Sequence, residues 1–133
     1  MRKISKLFIS AFLPTVSIRG ELDYSKIAEA SSARIENALV RYSRLYEEPC
    51  AYIQIINPKS WEAIETARIC EFNGLSFATE VADAYFSKPE FSKDGVHLQL
   101  SIVPLEPTGE QNKRCFVPIK DKKIGTIECI ASN

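Results

Sequence analysis

The stretch DYSKIAEASSARIENALVRYSRLYEEPCAYIQIIN, residues 23–57, says most about the architecture of this chain. Its apolar residues recur at spacings of three and four, which is the period of an amphipathic helix. They are Ile27, Ala28, Ile35, Ala38, Leu39, Tyr42 and Leu45. Asp23 or Ser25 suits the N-cap, and Pro49 closes the segment. The pattern predicts one long helix, followed at once by the apolar strand 50–56.

The predicted helix also has a basic side. A wheel at about 100° per residue places four cations in one sector of roughly 80°. This candidate basic contact ridge consists of Lys26, Arg34, Arg41 and Arg44. It would suit phosphates, lipid headgroups or an acidic partner, whereas the alternative interpretation is an ordinary solvated helix face.

The N-terminal segment begins with a basic stretch and continues with an apolar run, residues 7–13. That order resembles the start of a secretory signal, but the run is short and Pro14 interrupts it. We therefore predict a buried strand over 6–13 and a bent or edge strand over 15–18. No run of about 20 apolar residues occurs, so we expect a soluble chain or one peripheral to a membrane.

After the strand 50–56, Asn57 and Pro58 are typical of an N-cap and a first helical position, which predicts a second helix from Lys59. The pair Asn73–Gly74 favours a hairpin within 68–79, since both residues tolerate positive φ angles. The alternative is a helix that runs to Phe72 and ends at Gly74. A short helix is predicted over 80–86.

The last forty residues predict a three-stranded antiparallel meander. Val96, Leu98, Leu100 and Ile102 alternate with polar residues, as in a half-buried strand. Strands at 115–119 and 124–130 would follow, the first at an edge because Pro118 lacks a ladder N–H. The fold class is therefore α+β, a single domain over 1–133: one long amphipathic helix and a shorter one packed on a mainly antiparallel sheet with a C-terminal β-meander.

Composition excludes a protein that coats nucleic acid through charge alone, because 17 basic and 17 acidic side chains cancel. The four cysteines form no C-x-x-C pair and lie 20, 45 and 14 positions apart: Cys50, Cys70, Cys115 and Cys129. We interpret them as reduced core or strand residues, which favours a cytoplasmic location.

No catalytic or metal-binding sequence motif occurs, and no cofactor is predicted. His97 is the single histidine and reads as a surface residue of a strand. Glu62 and Glu65 are three apart and read as solvated first-turn residues, with a carboxylate pair as the alternative. Trp61 reads as a packing anchor. We predict no catalytic residues.

Contact with an anionic membrane or RNA would use basic residues near the two ends of the chain. These candidate anionic-surface contacts are Arg2, Lys3, Lys6, Lys120, Lys122 and Lys123. An edge strand over 124–130 would present unpaired backbone groups, which are a template for self-association.

Two resemblances to known families bear on function. Residues 7–12 and 51–55, with Asn73–Gly74, resemble the two motifs and last loop of an RNA-recognition-motif domain. The order of segments 6–9, 24–30, 49–56 and 94–102 is similar to that of the globular domain of a rhabdovirus-type matrix protein. The second resemblance implies self-assembly with contact to a membrane surface or nucleocapsid, and a helix over 24–30.

The sequence therefore predicts a non-enzymatic assembly or interaction protein, with a small viral matrix-type structural protein as its most specific form. An RNA-binding module is the alternative, and a small hydrolase with a carboxylate site is third. The expected partners are a second copy of the chain, an acidic protein, RNA or an anionic membrane surface.

Overall fold

The computed structural model describes residues 22–132, and these residues form antiparallel strands almost throughout. Strand accounts for 65% of the structure and helix for 3%. The long strands, numbered in chain order, are β1 (Ile27–Ile35), β2 (Ala38–Leu45), β3 (Ala51–Ile56), β4 (Ala63–Ile69), β7 (Val81–Ser92), β8 (Gly95–Pro104) and β9 (Gln111–Lys120). The short ones are β5 (Glu71–Phe72), β6 (Leu75–Ser76), β10 (Lys123–Ile124) and β11 (Glu128–Ala131).

The strands form two antiparallel sheets and a small hairpin. The first sheet has the order β1-β2-β3-β4, and the second has the order β10-β9-β8-β7. Strand β11 also pairs with β9, at Lys113 to Phe116, so that β10 and β11 lie end to end along one side of β9. Strands β5 and β6 pair only with each other. Strand β1 contacts β7, and β10 contacts β4, so the curled sheets approach each other at both edges.

One apolar core lies between the two sheets. The first sheet contributes Val40, Tyr42 and Ile53, and the second contributes Phe86 and Leu100, all with 0% of their surface exposed. A smaller cluster of Leu22, Leu45, Cys50 and Tyr52 lies where β2 leads into β3. Burial of this kind is the main source of stability for a two-layer β fold.

The predicted long helix is wrong, because residues 24–45 form a three-residue 3-10 turn (Tyr24–Lys26) and the hairpin β1–β2. Ala38, Val40 and Tyr42 are buried and alternate with Leu39 and Arg41, which is the period of a strand. The turn between the strands is Glu36–Asn37, with Glu36 in the left-handed region at φ 55°. This turn lacks the glycine of the common two-residue hairpin turns, so the break between the two strands is only weakly marked in the sequence.

The other predicted helices are also wrong, so the α+β class is replaced by an all-β fold. Residues 57–62 form a loop and β4 follows it, while 81–86 belong to β7 and Glu80 precedes that strand. The helix expected over 24–30 from the matrix-protein resemblance is absent for the same reason. Two further predictions, the strands over 6–13 and 15–18, lie outside the described residues.

Several strand predictions are confirmed. Strand β3 occupies Ala51–Ile56, and the hairpin favoured at Asn73–Gly74 is β5–β6. Val96, Leu98, Leu100 and Ile102 point into the core, as their alternation predicted. The meander is present with two differences: β9 is an interior strand, and the strand expected over 124–130 is divided into β10 and β11.

All four cysteines are paired, which corrects the prediction that they are reduced. Cys50 joins Cys70, and Cys115 joins Cys129. Cys115 and Cys129 are register partners in the β9–β11 ladder, and Cys50 and Cys70 flank the register pair Ala51–Ile69. Sequence spacing alone does not indicate which residues face each other across a ladder, because that depends on register.

In the described residues, no helix has the length and apolar character to cross a membrane.

Candidate functional site

A groove of about 580 Å³ crosses the outer face of the second sheet. Four strands supply its walls and floor, β7, β8, β9 and β11, so it spans the width of the sheet. Its volume falls within the range of about 300–1,000 Å³ that is usual for ligand sites. We call it the β8–β9 groove; its lining residues used below are Lys88, Glu90, Ser92, His97, Gln99, Arg114, Phe116, Glu128 and Ile130.

Strand register places the groove side chains in two rows. In the first row Glu90 pairs with His97, His97 with Phe116, and Phe116 with Glu128. In the second row Gln99 pairs with Arg114, and Arg114 pairs with Ile130. Because alternate residues of a strand share a face, these rows lie side by side on the surface opposite the core residues Leu98 and Cys115.

The centre of the first row is an aromatic pair. The rings of His97 and Phe116 have their centroids 4.8 Å apart, with an interplanar angle of 38°. Phe116 is half-buried while His97 is exposed. The pair provides a partly apolar aromatic surface in the floor of the groove, with Glu90 and Glu128 on its two sides.

Ser92 Oγ lies 3.3 Å from His97 Nε2, which invites comparison with a hydrolase. The same hydroxyl accepts a hydrogen bond from Asp94 N–H at 3.3 Å, so it closes the turn between β7 and β8. No carboxylate of the described chain hydrogen-bonds to the His97 ring. Nucleophilic catalysis requires a base that is held by a third group and donors for an oxyanion. The geometry here supplies neither, and the Ser92–His97 contact is explained by the turn.

The charges of the groove balance. Lys88 and Arg114 are basic, Glu90 and Glu128 are acidic, and all four side chains are exposed. Within the described part of the chain, none of the four forms an ion pair. A surface of this kind offers a ligand charged side chains of both signs that are not already engaged in ion pairs. It does not offer the basic stripe that nucleic acid requires.

The disulfide Cys115–Cys129 lies directly beneath the groove. Its two residues alternate with the groove residues Arg114 and Phe116 on β9, and with Glu128 and Ile130 on β11. The covalent bond therefore keeps the short strand β11 in register with β9. The groove does not have to be assembled when a ligand arrives, which reduces the entropic cost of binding.

The predicted basic ridge is not a single surface in the structure. Lys26 is an exposed residue of the 3-10 turn, and Arg34 is an exposed residue of β1. Arg41 and Arg44 are three apart on β2, so they point to opposite faces, whereas on a helix they would share one.

Arg41 belongs to a polar network on the outer face of the first sheet. It donates to Gln54 Oε1 from Nε at 3.0 Å and from Nη2 at 2.7 Å, and its Nη2 also donates to the Tyr24 hydroxyl at 3.0 Å. Gln54 in turn donates to Thr66 Oγ1 at 3.3 Å. Arg41 therefore satisfies a buried amide and supports the fold.

Arg44 has partners of its own at the edge of the core. Its guanidinium lies over the Tyr85 ring, 4.4 Å from the centroid, and donates to the Tyr85 hydroxyl at 3.1 Å. Its Nε lies 3.5 Å from Glu29 Oε1, an ion pair without hydrogen-bond geometry. Arg44 thus joins β2 to β7, and it is not available to a partner as an isolated cation.

The structure describes three of the six candidate anionic-surface contacts. Lys120, Lys122 and Lys123 are exposed around the turn between β9 and β10. Lys122 lines a second cavity together with residues of the turn 36–37 and the loop 57–62. The remaining three, Arg2, Lys3 and Lys6, lie outside the described residues.

The alternative carboxylate pair is not formed. Glu62 is exposed at the end of the loop before β4. Glu65 is half-buried, and its Oε1 accepts a hydrogen bond from Ile124 N–H at 2.9 Å, which links β4 to β10. Among the described residues, no group of three or more His, Cys, Asp or Glu side chains is placed to hold a metal ion.

Only part of the groove could be predicted from the sequence. The alternation of residues 96–102 correctly assigned His97 and Gln99 to the polar face of their strand. The contribution of Arg114, Phe116 and Glu128 depends on the pairing of β9 with β8 and β11, which the sequence does not specify. The disulfide Cys115–Cys129 would have indicated part of this arrangement, because it fixes the register of β9 with β11.

No family model, no curated protein and no solved structure matches this chain.

Proposed function

We propose that this chain is a non-enzymatic interaction domain, and that the β8–β9 groove is the surface that holds its partner. The observation that supports this most is the groove itself: about 580 Å³ on a rigid sheet face, with an aromatic pair in its floor and four uncommitted charges around it. Binding requires such a surface, whereas catalysis requires activated groups in addition.

The charge pattern favours a protein partner, and a second copy of the chain first. Symmetric homodimers use the same patch on both subunits, so that patch must complement itself. Glu90 and Glu128 of one copy would face Lys88 and Arg114 of the other. Phe116 and Ile130 would supply the apolar contact, since Ile130 is 60% exposed in the unbound chain.

A viral matrix-type structural protein is the most specific form of this proposal, and it rests only on the resemblance of segment order, from which the helix over 24–30 is missing. RNA binding finds less support, since the groove is neutral and an RNA-recognition motif requires two helices that residues 22–132 do not contain. The cysteines no longer support a cytoplasmic location, because all four are paired and two disulfides are typical of an oxidising compartment.

Light scattering across a concentration series, at low and high salt, tests self-association. We expect the molar mass of the wild-type chain to rise with concentration and the rise to persist in high salt, because the apolar contact is not screened. Ile130→Glu should abolish the rise. Leu105→Glu is the matched control, because Leu105 is an aliphatic residue outside the groove with a similar exposure, 67%. Equal loss in both variants would contradict the proposal.

A further inference from the structure

The loop 57–62 displays the only tryptophan of the chain to solvent. Trp61 is 71% exposed, although a tryptophan is among the most costly side chains to leave in water. It therefore is not the packing anchor that the sequence suggested. Its backbone has φ 63°, a left-handed conformation that bulky residues rarely adopt. The structure thus combines an exposed indole with a left-handed backbone at the same residue.

Asn57 organises this loop through both its side chain and its backbone. Its Oδ1 accepts from Lys59 N–H at 2.8 Å and from Ser60 N–H at 3.4 Å. Its carbonyl accepts from Trp61 N–H at 2.7 Å, and its own N–H donates to the Glu62 carbonyl at 2.9 Å. These bonds build the loop as a defined support, so the exposure of Trp61 is a property of the folded state.

The same end of the molecule carries a cavity of about 300 Å³ with a cationic lining. Lys59 comes from the loop, Lys122 from the turn between β9 and β10, and Asn37 from the turn between β1 and β2. No carboxylate lines it, and neither lysine forms an ion pair within the described residues. The acidic residues nearest in sequence to the lining residues, Glu36, Glu62 and Asp121, lie outside the lining. Two cations and an amide around one small cavity suit the oxygens of a phosphate group.

Apolar side chains adjoin this cationic cavity. Pro58 and Ile64 line it, and Ile64 is 51% exposed. Trp61 lies between these two residues in the chain. Tryptophan with nearby lysines is the combination found at the boundary between lipid headgroups and acyl chains, where the indole ring is partly wet and the amines meet phosphate.

We propose that this end of the molecule docks on an anionic phospholipid surface, with a headgroup phosphate in the cavity between Lys59 and Lys122, and with Trp61 and Ile64 in the interfacial layer. The site is separate from the β8–β9 groove and does not depend on it. In this site Lys122, one of the candidate anionic-surface contacts, binds the phosphate. The site also uses Lys59, Ile64 and Trp61, which the pattern of charges in the sequence does not identify.

Tryptophan emission tests the proposal directly, because Trp61 is the sole source of the signal. The full chain is mixed with phosphatidylcholine vesicles, or with vesicles of equal parts phosphatidylcholine and phosphatidylserine, and co-sedimentation is measured in parallel. We expect binding and a shift of emission to shorter wavelength with the anionic vesicles only. Both should decrease as salt is added.

Variants locate the contact. Each lysine near an anionic surface is worth about fivefold in affinity, so Lys59→Glu together with Lys122→Glu should weaken binding by at least about 25-fold. Trp61→Ala should weaken co-sedimentation as well. Lys26→Glu is the matched control, since Lys26 is also an exposed lysine. It lies at the end of the β1–β2 hairpin opposite the turn 36–37, as the hydrogen bond from Tyr46 N–H to its carbonyl shows. It should reduce binding far less.

Three results would overturn the proposal: binding unchanged in the double lysine variant, equal binding to both kinds of vesicle, or an emission change with inorganic phosphate alone and no co-sedimentation. The last would assign the cavity to a soluble phosphate compound. Circular dichroism of each variant, compared with that of the wild type, checks that a loss of binding does not come from unfolding.

Discussion

The side-chain oxygen of Gln54 accepts two hydrogen bonds from Arg41, one from Nε at 3.0 Å and one from Nη2 at 2.7 Å. Gln54 is on β3 and Arg41 is its register partner on β2. Only 1% of the Gln54 surface is exposed, so this amide depends on protein partners for its hydrogen bonds. The pair explains why a central apolar strand contains a glutamine.

Gln54→Ala should therefore lower the free energy of unfolding by about 2–3 kcal/mol, because it leaves a cavity and removes the acceptor of a charged donor. Thr66→Val is the matched change at the other end of the amide, where the hydrogen bond is neutral and 3.3 Å long. It should cost about 1 kcal/mol or less. Urea unfolding of both variants measures the difference, and similar losses would contradict the account of Gln54.

Each disulfide should contribute about 3 kcal/mol to the free energy of unfolding, since the pairs lie 20 and 14 residues apart in sequence. Replacing Cys50 and Cys70 together by serine tests the first bond, and the same change at Cys115 and Cys129 tests the second. Loss of the second should also weaken association, because β11 carries Ile130. Alkylation followed by mass measurement, without reductant, should find no free thiol among these four residues.

The stability of the fold should fall in alkaline solution because of Tyr42. Burial, and then the carboxylate of Glu29, hold the pKa of the Tyr42 hydroxyl well above its ordinary value. An unfolded chain releases this proton near pH 10, whereas the folded chain retains it. The contribution is therefore complete below about pH 10 and is lost as the pH rises above that value.

Tyr42→Phe isolates this effect, because the variant keeps Tyr52, whose pKa is also raised, by burial and then by its hydrogen bond to Glu48. Urea unfolding at pH 8 and pH 11 should show a smaller alkaline loss in the variant than in the wild type. If both lose the same free energy, the buried hydroxyl of Tyr42 is not the cause.

The left-handed backbone of Trp61 predicts a conflict between stability and binding. Trp61→Gly should raise the free energy of unfolding by about 1 kcal/mol, because glycine adopts φ 63° without a Cβ contact. The same variant should lose binding to anionic vesicles. Thermal unfolding and co-sedimentation measure the two effects, and a less stable variant would show that the indole packs on the fold.

Strand β3 and the inward face of β8 could be predicted because their apolar residues are either continuous or strictly alternating. The hairpin β1–β2 could not, because Ile35, Ala38, Leu39 and Tyr42 recur at helical spacings, which hid the alternation of the buried residues Ala38, Val40 and Tyr42. The turn Glu36–Asn37 contains neither glycine nor proline, which are the strongest local signals of a break between two strands. As a direct result, the four basic residues of the ridge, which were placed on one helix face, lie on separate elements and faces.

The groove shows a different limit of sequence reasoning. Which residues share a face of one strand is a local property, so His97 and Gln99 were assigned correctly. Which strands are neighbours, and in what register, is a property of the whole fold. The pairing of Phe116 with both His97 and Glu128 therefore appears only in the structure.

Amide NMR spectra of the isotopically labelled chain, recorded through a dilution series, test the interaction account most directly. Self-association through the β8–β9 groove predicts concentration-dependent shifts at groove residues such as Gln99, Arg114 and Ile130, with residues of β2 unchanged, and no shifts in Ile130→Glu. Spectra that stay constant at every concentration, or shifts that avoid the groove, would contradict it.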